Sequence, residues 1–147
     1  MVAPVRNNKG FSLVELMIAL VILQISLLGL LSGLVNSIAV NLNNELRNTT
    51  IRITNQTAEA IHSLDFNDNE VTAGTHYRDP YSSSQNLKGF PQTVQDIRGG
   101  FQQNYNISWA VTDPGTELKQ VLITVQYTNP RGENLSNNAV IYKHRAL

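Results

Sequence analysis

The sequence predicts an α+β protein: a long N-terminal helix, its first half membrane-spanning, packed through its second half against a small C-terminal antiparallel β-sheet. Three observations carry that prediction. An uncharged run of 29 residues separates Glu15 from Glu45, and 15 of the 20 residues at 16–35 are aliphatic or Met. Beyond that run the apolar residues thin to a stripe with helical spacing, and the last third of the chain alternates apolar and polar residues with the period of strands. Composition bounds the rest. The 147 residues carry 11 basic and 11 acidic side chains, and only 15% are charged, against roughly 25% in an average soluble protein. No acidic tail and no basic footprint for nucleic acid is present. Cysteine is absent, which removes disulfides, thiolate metal sites and cysteine nucleophiles.

The first element is the stretch LMIALVILQISLLGLLSGLV. About 20 helical residues at about 1.5 Å each cover the roughly 30 Å of a bilayer core. The alternative, a buried helix of a soluble protein, would leave only a polar, Asn-rich remainder to wrap it. The flank ahead of the run holds Arg6 and Lys9 and no acid, so this end stays in the cytoplasm and the C-terminal part is exported. A secretory signal would place its cleavage site after the apolar region, beside small residues; no convincing site of that kind precedes Asn41. The distinctive junction lies in front, at Lys9-Gly10-Phe11.

Glu15 sits one turn inside the apolar segment. A carboxylate at a bilayer centre costs up to ~3 kcal/mol, less near the interface, and marks function by default. If the chain is cut after Gly10, Phe11 gains a free α-ammonium four residues from Glu15, on the same helix face. The carboxylate then offsets either its own terminus or that of a neighbouring subunit, and the helix dipole favours it near the N-terminal end.

Past the membrane, Ile38, Leu42, Leu46, Thr49, Ile53, Ala60 and Leu64 recur at spacings of three, four or seven, as in a half-buried helix. One helix over about 12–64 is expected, its second half held by packing because Asn and Thr are poor helix formers. Asp65–Glu70 (DFNDNE) ends it. Residues 72–100 read as a long loop rich in breakers, with room for a short strand at 75–77. Three strands follow. Tyr105, Ile107, Trp109 and Val111 form one apolar row; Val121, Ile123, Val125 and Tyr127 form the second; residues 139–143 supply the third. Asp113-Pro114-Gly115 and Asn129-Pro130-Arg131-Gly132 are the turns.

Candidates for chemistry are weak. His62, His76 and His144 are the only histidines; His76 with Asp79 and Ser82–Ser84 lacks a nucleophile elbow and reads as a solvated loop residue. Asp65, Asn67 and Asn69 match the first three ligand positions of a calcium loop, but Glu70 replaces the required Gly and His76 the bidentate Glu. Trp109 reads as core, since it lies in the apolar row. Arg47 and Arg52 fall on the polar side of the helix, and the sequons at Asn48, Asn55, Asn106 and Asn134 read as chance. No cofactor, no metal and no enzymatic activity are expected.

The stretch KGFSLVELMIALVIL resembles the prepilin signature of type IV pilins and pseudopilins: Gly before the cut, Phe first in the mature chain, Glu fifth, then an aliphatic helix. The resemblance implies a pilin-like fold. It further implies a cleaved basic leader over 1–10, cleavage between Gly10 and Phe11 by a prepilin peptidase, and N-methylation of Phe11. An assembly helix over 11–40 and a periplasmic head over 41–147 complete the implied organisation. Many major pilins carry a kinking Pro about twenty residues into the mature helix; Ser32 and Gly33 stand there instead, so local melting would rely on Gly29 and Gly33. VELMIALVILQISLLGLLSGL is similar to PilV-type minor pilins, and KQVLITVQYTNPRG with NAVIYKHR is similar to the ends of those proteins and of I-type minor pseudopilins of type II secretion. The implied partners are the peptidase, other major and minor pilins met through the N-terminal helix, the inner-membrane assembly platform and the membrane itself. The implied role is initiation or capping of a pilus. A type II secretion pseudopilin is the alternative within the superfamily, and a tip adhesin or DNA-uptake pilin the alternative from another class; few aromatics and no basic cluster argue against strong nucleic-acid binding.

Overall fold

A single helix, α1 (Leu13–Ser63), runs 51 residues without interruption in the computed structural model, which describes residues 10, 12–78, 89–97, 100–115 and 117–145. Gly29 and Gly33 stay helical within it. The expected α+β architecture is present: the apolar helix is followed by an antiparallel sheet. The chain divides into two compact units at the Val40–Asn41 boundary, and each is described by itself.

In the first unit the helix buries nothing. Every large apolar residue from Leu13 to Val40 is at least 49% exposed. Among the described residues this is one helix long and apolar enough to cross a membrane, and none of its apolar window is buried. The polar Ser26 hydroxyl is satisfied locally, donating to the Ile22 carbonyl at 2.9 Å, as a helix in oil requires.

The second unit is a four-stranded antiparallel sheet on the remaining helix. Its strands are β1 (Gly74–Arg78), β4 (Asn106–Gly115), β5 (Leu118–Thr128) and β6 (Asn134–His144), in the order β1-β4-β5-β6. A separate hairpin joins β2 (Val94–Ile97) to β3 (Phe101–Asn104). Alternation in β5 is strict, with residues 119, 121, 123, 125 and 127 buried. With Ile107, Trp109 and Val111 from β4, they make the face that meets the helix.

Several expectations need correction. The helix stripe is Leu46, Thr50, Ile53, Thr54, Thr57, Ala60 and Ile61. Ile38 is 58% exposed, and Thr49 is only half-buried. Three of the buried positions are threonines, each returning its hydroxyl to the carbonyl four residues back, at 2.7, 2.9 and 2.8 Å for Thr50, Thr54 and Thr57. A threonine satisfied in that way presents mainly its methyl group to the core, so a polarity pattern misplaces it.

The stretch 72–100 is not all loop: it contains β1, close to the short strand expected at 75–77, and also β2. The sheet therefore has four strands rather than three. The third expected strand starts at Asn134, five residues earlier than its apolar core suggests. Asp113-Pro114-Gly115 is not the turn. It belongs to β4, where the register slips between Thr112 and Gly115, and Gly115 pairs with Leu118 across the connection. The Asn129–Gly132 turn stands as read. Asn129 Oδ1 accepts the Arg131 and Glu133 amides at 3.0 and 2.9 Å, and Gly132 takes φ +80°, a conformation open to glycine at no steric cost.

Candidate functional site

Gly10 opens the described part of the processing junction. A Cβ built on it meets nothing within 4 Å, and its φ lies outside the left-handed region. Among the described residues the fold therefore makes no demand for glycine at position 10. Phe11, Arg6 and Lys9 lie outside the described residues.

The helix begins immediately afterwards. The Ser12 carbonyl accepts the Leu16 amide at 3.1 Å, which places Ser12 at the cap position and Glu15 in the first turn. Ser12 and Glu15 thus stand three apart in the S-x-x-E order of a capping box, a helix-start signal already present in the sequence. At that position a carboxylate also meets the positive end of the helix dipole. Glu15 is exposed, and among the described residues no cation pairs with it. The site's geometry is thus a glycine with free space, a helix start, and an unpaired acid at the head of an unburied apolar rod.

The second polar centre lies at the other end of α1, and sequence reasoning missed it. Lys143 on β6 is 7% exposed and donates to the Ile61, His62 and Leu64 carbonyls at 3.1, 2.9 and 2.7 Å. All three ammonium protons are used, on carbonyls that the end of a helix leaves without partners. Lys119 on β5 is 8% exposed; it donates to the Phe66 and Val71 carbonyls at 2.7 and 2.8 Å and stands 4.4 Å from the Phe66 ring centroid. Burial lowers the Lys143 pKa below the usual lysine range, a shift opposed in part by Asp65. The two lysines hold the exit of the helix to the sheet.

His76 is not a solvated loop residue. It lies on β1, paired in register with Trp109, and their rings stack at 5.8 Å and 13°. Its Nε2 donates to the Thr72 carbonyl at 2.9 Å, and its Nδ1 lies 3.8 Å from the Glu70 carboxylate. Trp109 is 1% exposed, in keeping with the core role expected of it, and its indole N–H donates to the Glu70 carbonyl at 2.8 Å. Asp79 and Ser82–Ser84 lie outside the described residues. Asp65 and Asp68 each accept the amide two residues on, from Asn67 at 3.0 Å and from Glu70 at 2.9 Å, so the DFNDNE stretch closes two tight turns. Arg47 is exposed, whereas Arg52 donates to Gln95 Oε1 at 2.9 Å, tying the helix to β2. Tyr105 is fully buried, its hydroxyl near Thr49 but without a formed hydrogen bond. Burial pushes its pKa up to about 12.

Residues 5–33 match the model of the prokaryotic N-terminal methylation motif. The match covers the Gly10 junction, Glu15 and most of the apolar run, and it supports a prepilin-like chain of the type IV pilin and pseudopilin kind. Together with the unburied helix it is consistent with membrane anchoring. No curated protein and no solved structure matches the chain.

Proposed function

We propose that this chain, which bears a prokaryotic N-terminal methylation motif, is a minor type IV pilin: a structural subunit, not an enzyme, that helps initiate or cap a pilus. It enters the inner membrane with residues 41–147 in the periplasm. A prepilin peptidase cuts between Gly10 and Phe11 and methylates the new Phe11 amine. The mature chain then leaves the bilayer for a bundle of pilin helices, driven by the assembly platform.

The observation that carries this reading is the bare helix. From Leu13 to Val40 every large apolar side chain is at least 49% exposed, so something outside this chain must cover it. Lipid does so before assembly, and the helices of other pilins do so afterwards. Because lipid and protein are equally apolar, hydrophobicity does not choose between them; packing and polar pairing do. Glu15 supplies the polar term. An unpaired carboxylate near the bilayer is costly, and a Phe11 ammonium on the adjoining subunit relieves it.

Glu15→Leu tests the reading. The variant should insert and be cut normally, yet enter purified filaments at least about tenfold less than the parent chain, the loss expected for about 1.4 kcal/mol of pairing. Incorporation at the parental level would contradict the pairing mechanism. A minor pseudopilin of type II secretion would use the same helix and the same pair. The β5–β6 segment resembles the ends of PilV-type minor pilins and of I-type pseudopilins alike, so it does not choose between them; the second reading predicts loss of protein secretion, with pili intact, when the chain is deleted.

A further inference from the structure

The end of the sheet where β3 passes beside β4 and β5 holds a groove of about 660 Å³. Its composition is unusual. Gln102, Gln103, Asn104, Asn106, Gln126 and Asn134 supply six carboxamides, and among the described residues lining it there is no acid, lysine, arginine or histidine. The strand register arranges part of this set. Asn106 pairs with Gln126, and Gln126 pairs with Ser136, so three polar side chains stand in one row across three strands at steps of about 4.8 Å. Thr128 and Asn134 pair beside them and are tied by a 2.8 Å hydrogen bond. Gln102, Asn106 and Gln126 form no side-chain hydrogen bond among the described residues. Tyr127 and Leu135, directly paired, project to the other, core-facing side of the sheet, where Tyr127 is buried.

That chemistry selects its ligand. A charged group seated here would be desolvated with no counter-charge to meet it. A wholly apolar one would strand the amides it covered. A carboxamide offers both donors and an acceptor, which matches a hydroxyl, itself donor and acceptor at once. A row of such donor and acceptor groups at a step close to the ring-to-ring repeat of an extended saccharide, with no charged side chain lining the groove, fits an uncharged oligosaccharide. We propose that this groove binds a neutral glycan strand. None of the residues lining the groove belongs to the N-terminal junction.

The test uses the full chain, ¹⁵N-labelled, in amine-oxide micelles so that no sugar-headed detergent competes. Chitotetraose represents cell-wall-type glycan, maltotetraose represents plain glucan, and a heparin tetrasaccharide is the anionic control. The side-chain amide signals of Asn106 and Gln126 should shift saturably with one of the two neutral probes, to the same extent at mildly acid and mildly alkaline pH. Gln126→Leu should weaken that binding by about tenfold or more, while Gln120→Leu, on β5 outside the groove, should leave it unchanged. The proposal is overturned if neither neutral probe shifts these signals, if heparin binds more tightly than both, or if Gln126→Leu binds as well as the parent. Shifts that follow protein concentration without any saccharide would place a second copy of the chain in the groove, and would overturn it equally.

Discussion

Single side chains decide the sharpest behaviour of this protein. At Gly10 a Cβ would meet nothing within 4 Å among the described residues, so on the proposed function the need for glycine belongs to the peptidase. Gly10→Val should leave the second unit as stable as before while the uncut precursor accumulates in the membrane, which an immunoblot of membrane fractions reads directly. Tyr105 tests the head. Its hydroxyl is buried without a formed hydrogen bond, so Tyr105→Phe should be neutral, or stabilising by up to about 1 kcal/mol, in urea unfolding at neutral pH. Its pKa is pushed from the ordinary 10 up to about 12. Below pH 10 folded and unfolded chains both hold the proton and Tyr105's contribution is complete. Between 10 and 12 only the unfolded chain releases it, and about 2–3 kcal/mol is lost. The Phe variant should not show that alkaline loss. Lys143 has the opposite sign. Burial lowers its pKa, so its charged form is penalised in the folded state, and its contribution rises as pH climbs toward the unfolded value of 10.5.

Among the elements, the junction of α1 with β5 and β6 carries the greatest weight. Removing the Lys143 ammonium strands three carbonyls at the end of the helix, so Lys143→Met should cost the second unit about 2–4 kcal/mol, visible as a lower urea midpoint with an unchanged slope. Sequence showed some elements plainly and hid others, for physical reasons. α1 was legible because its first half is nearly continuous Leu, Ile and Val, and β5 because every second residue is apolar. Ser12 and Glu15 carry the S-x-x-E order of a capping box in the sequence, at the start that α1 takes. The β2–β3 hairpin was hidden: Ile97 and Phe101 are its only large apolar residues apart from Val94, and its amides look like loop. The buried threonines of α1 were hidden because their satisfaction depends on their own helix. Lys119 and Lys143 were hidden because nothing local says that a lysine on a strand will meet carbonyls 48 to 82 residues away in the chain.

For the whole molecule, two kinds of surface must be reconciled in one chain. The described part of residues 41–147 builds a buried core from a sheet on a helix, although Tyr77, Leu122, Val140 and Tyr142 stay exposed; the helix from Leu13 to Val40 leaves every large apolar side chain bare. On the function proposed above, lipid and then similar helices cover that surface, and the motif over residues 5–33 marks the place of the proposed cut, which would create a charge close to Glu15. Mass spectrometry of the chain purified from its native membrane or filament tests that account most directly. An N-terminal peptide beginning at Phe11 and one methyl group heavier than its sequence is the predicted result; a chain that still carries Met1–Gly10 in assembled filaments would contradict it.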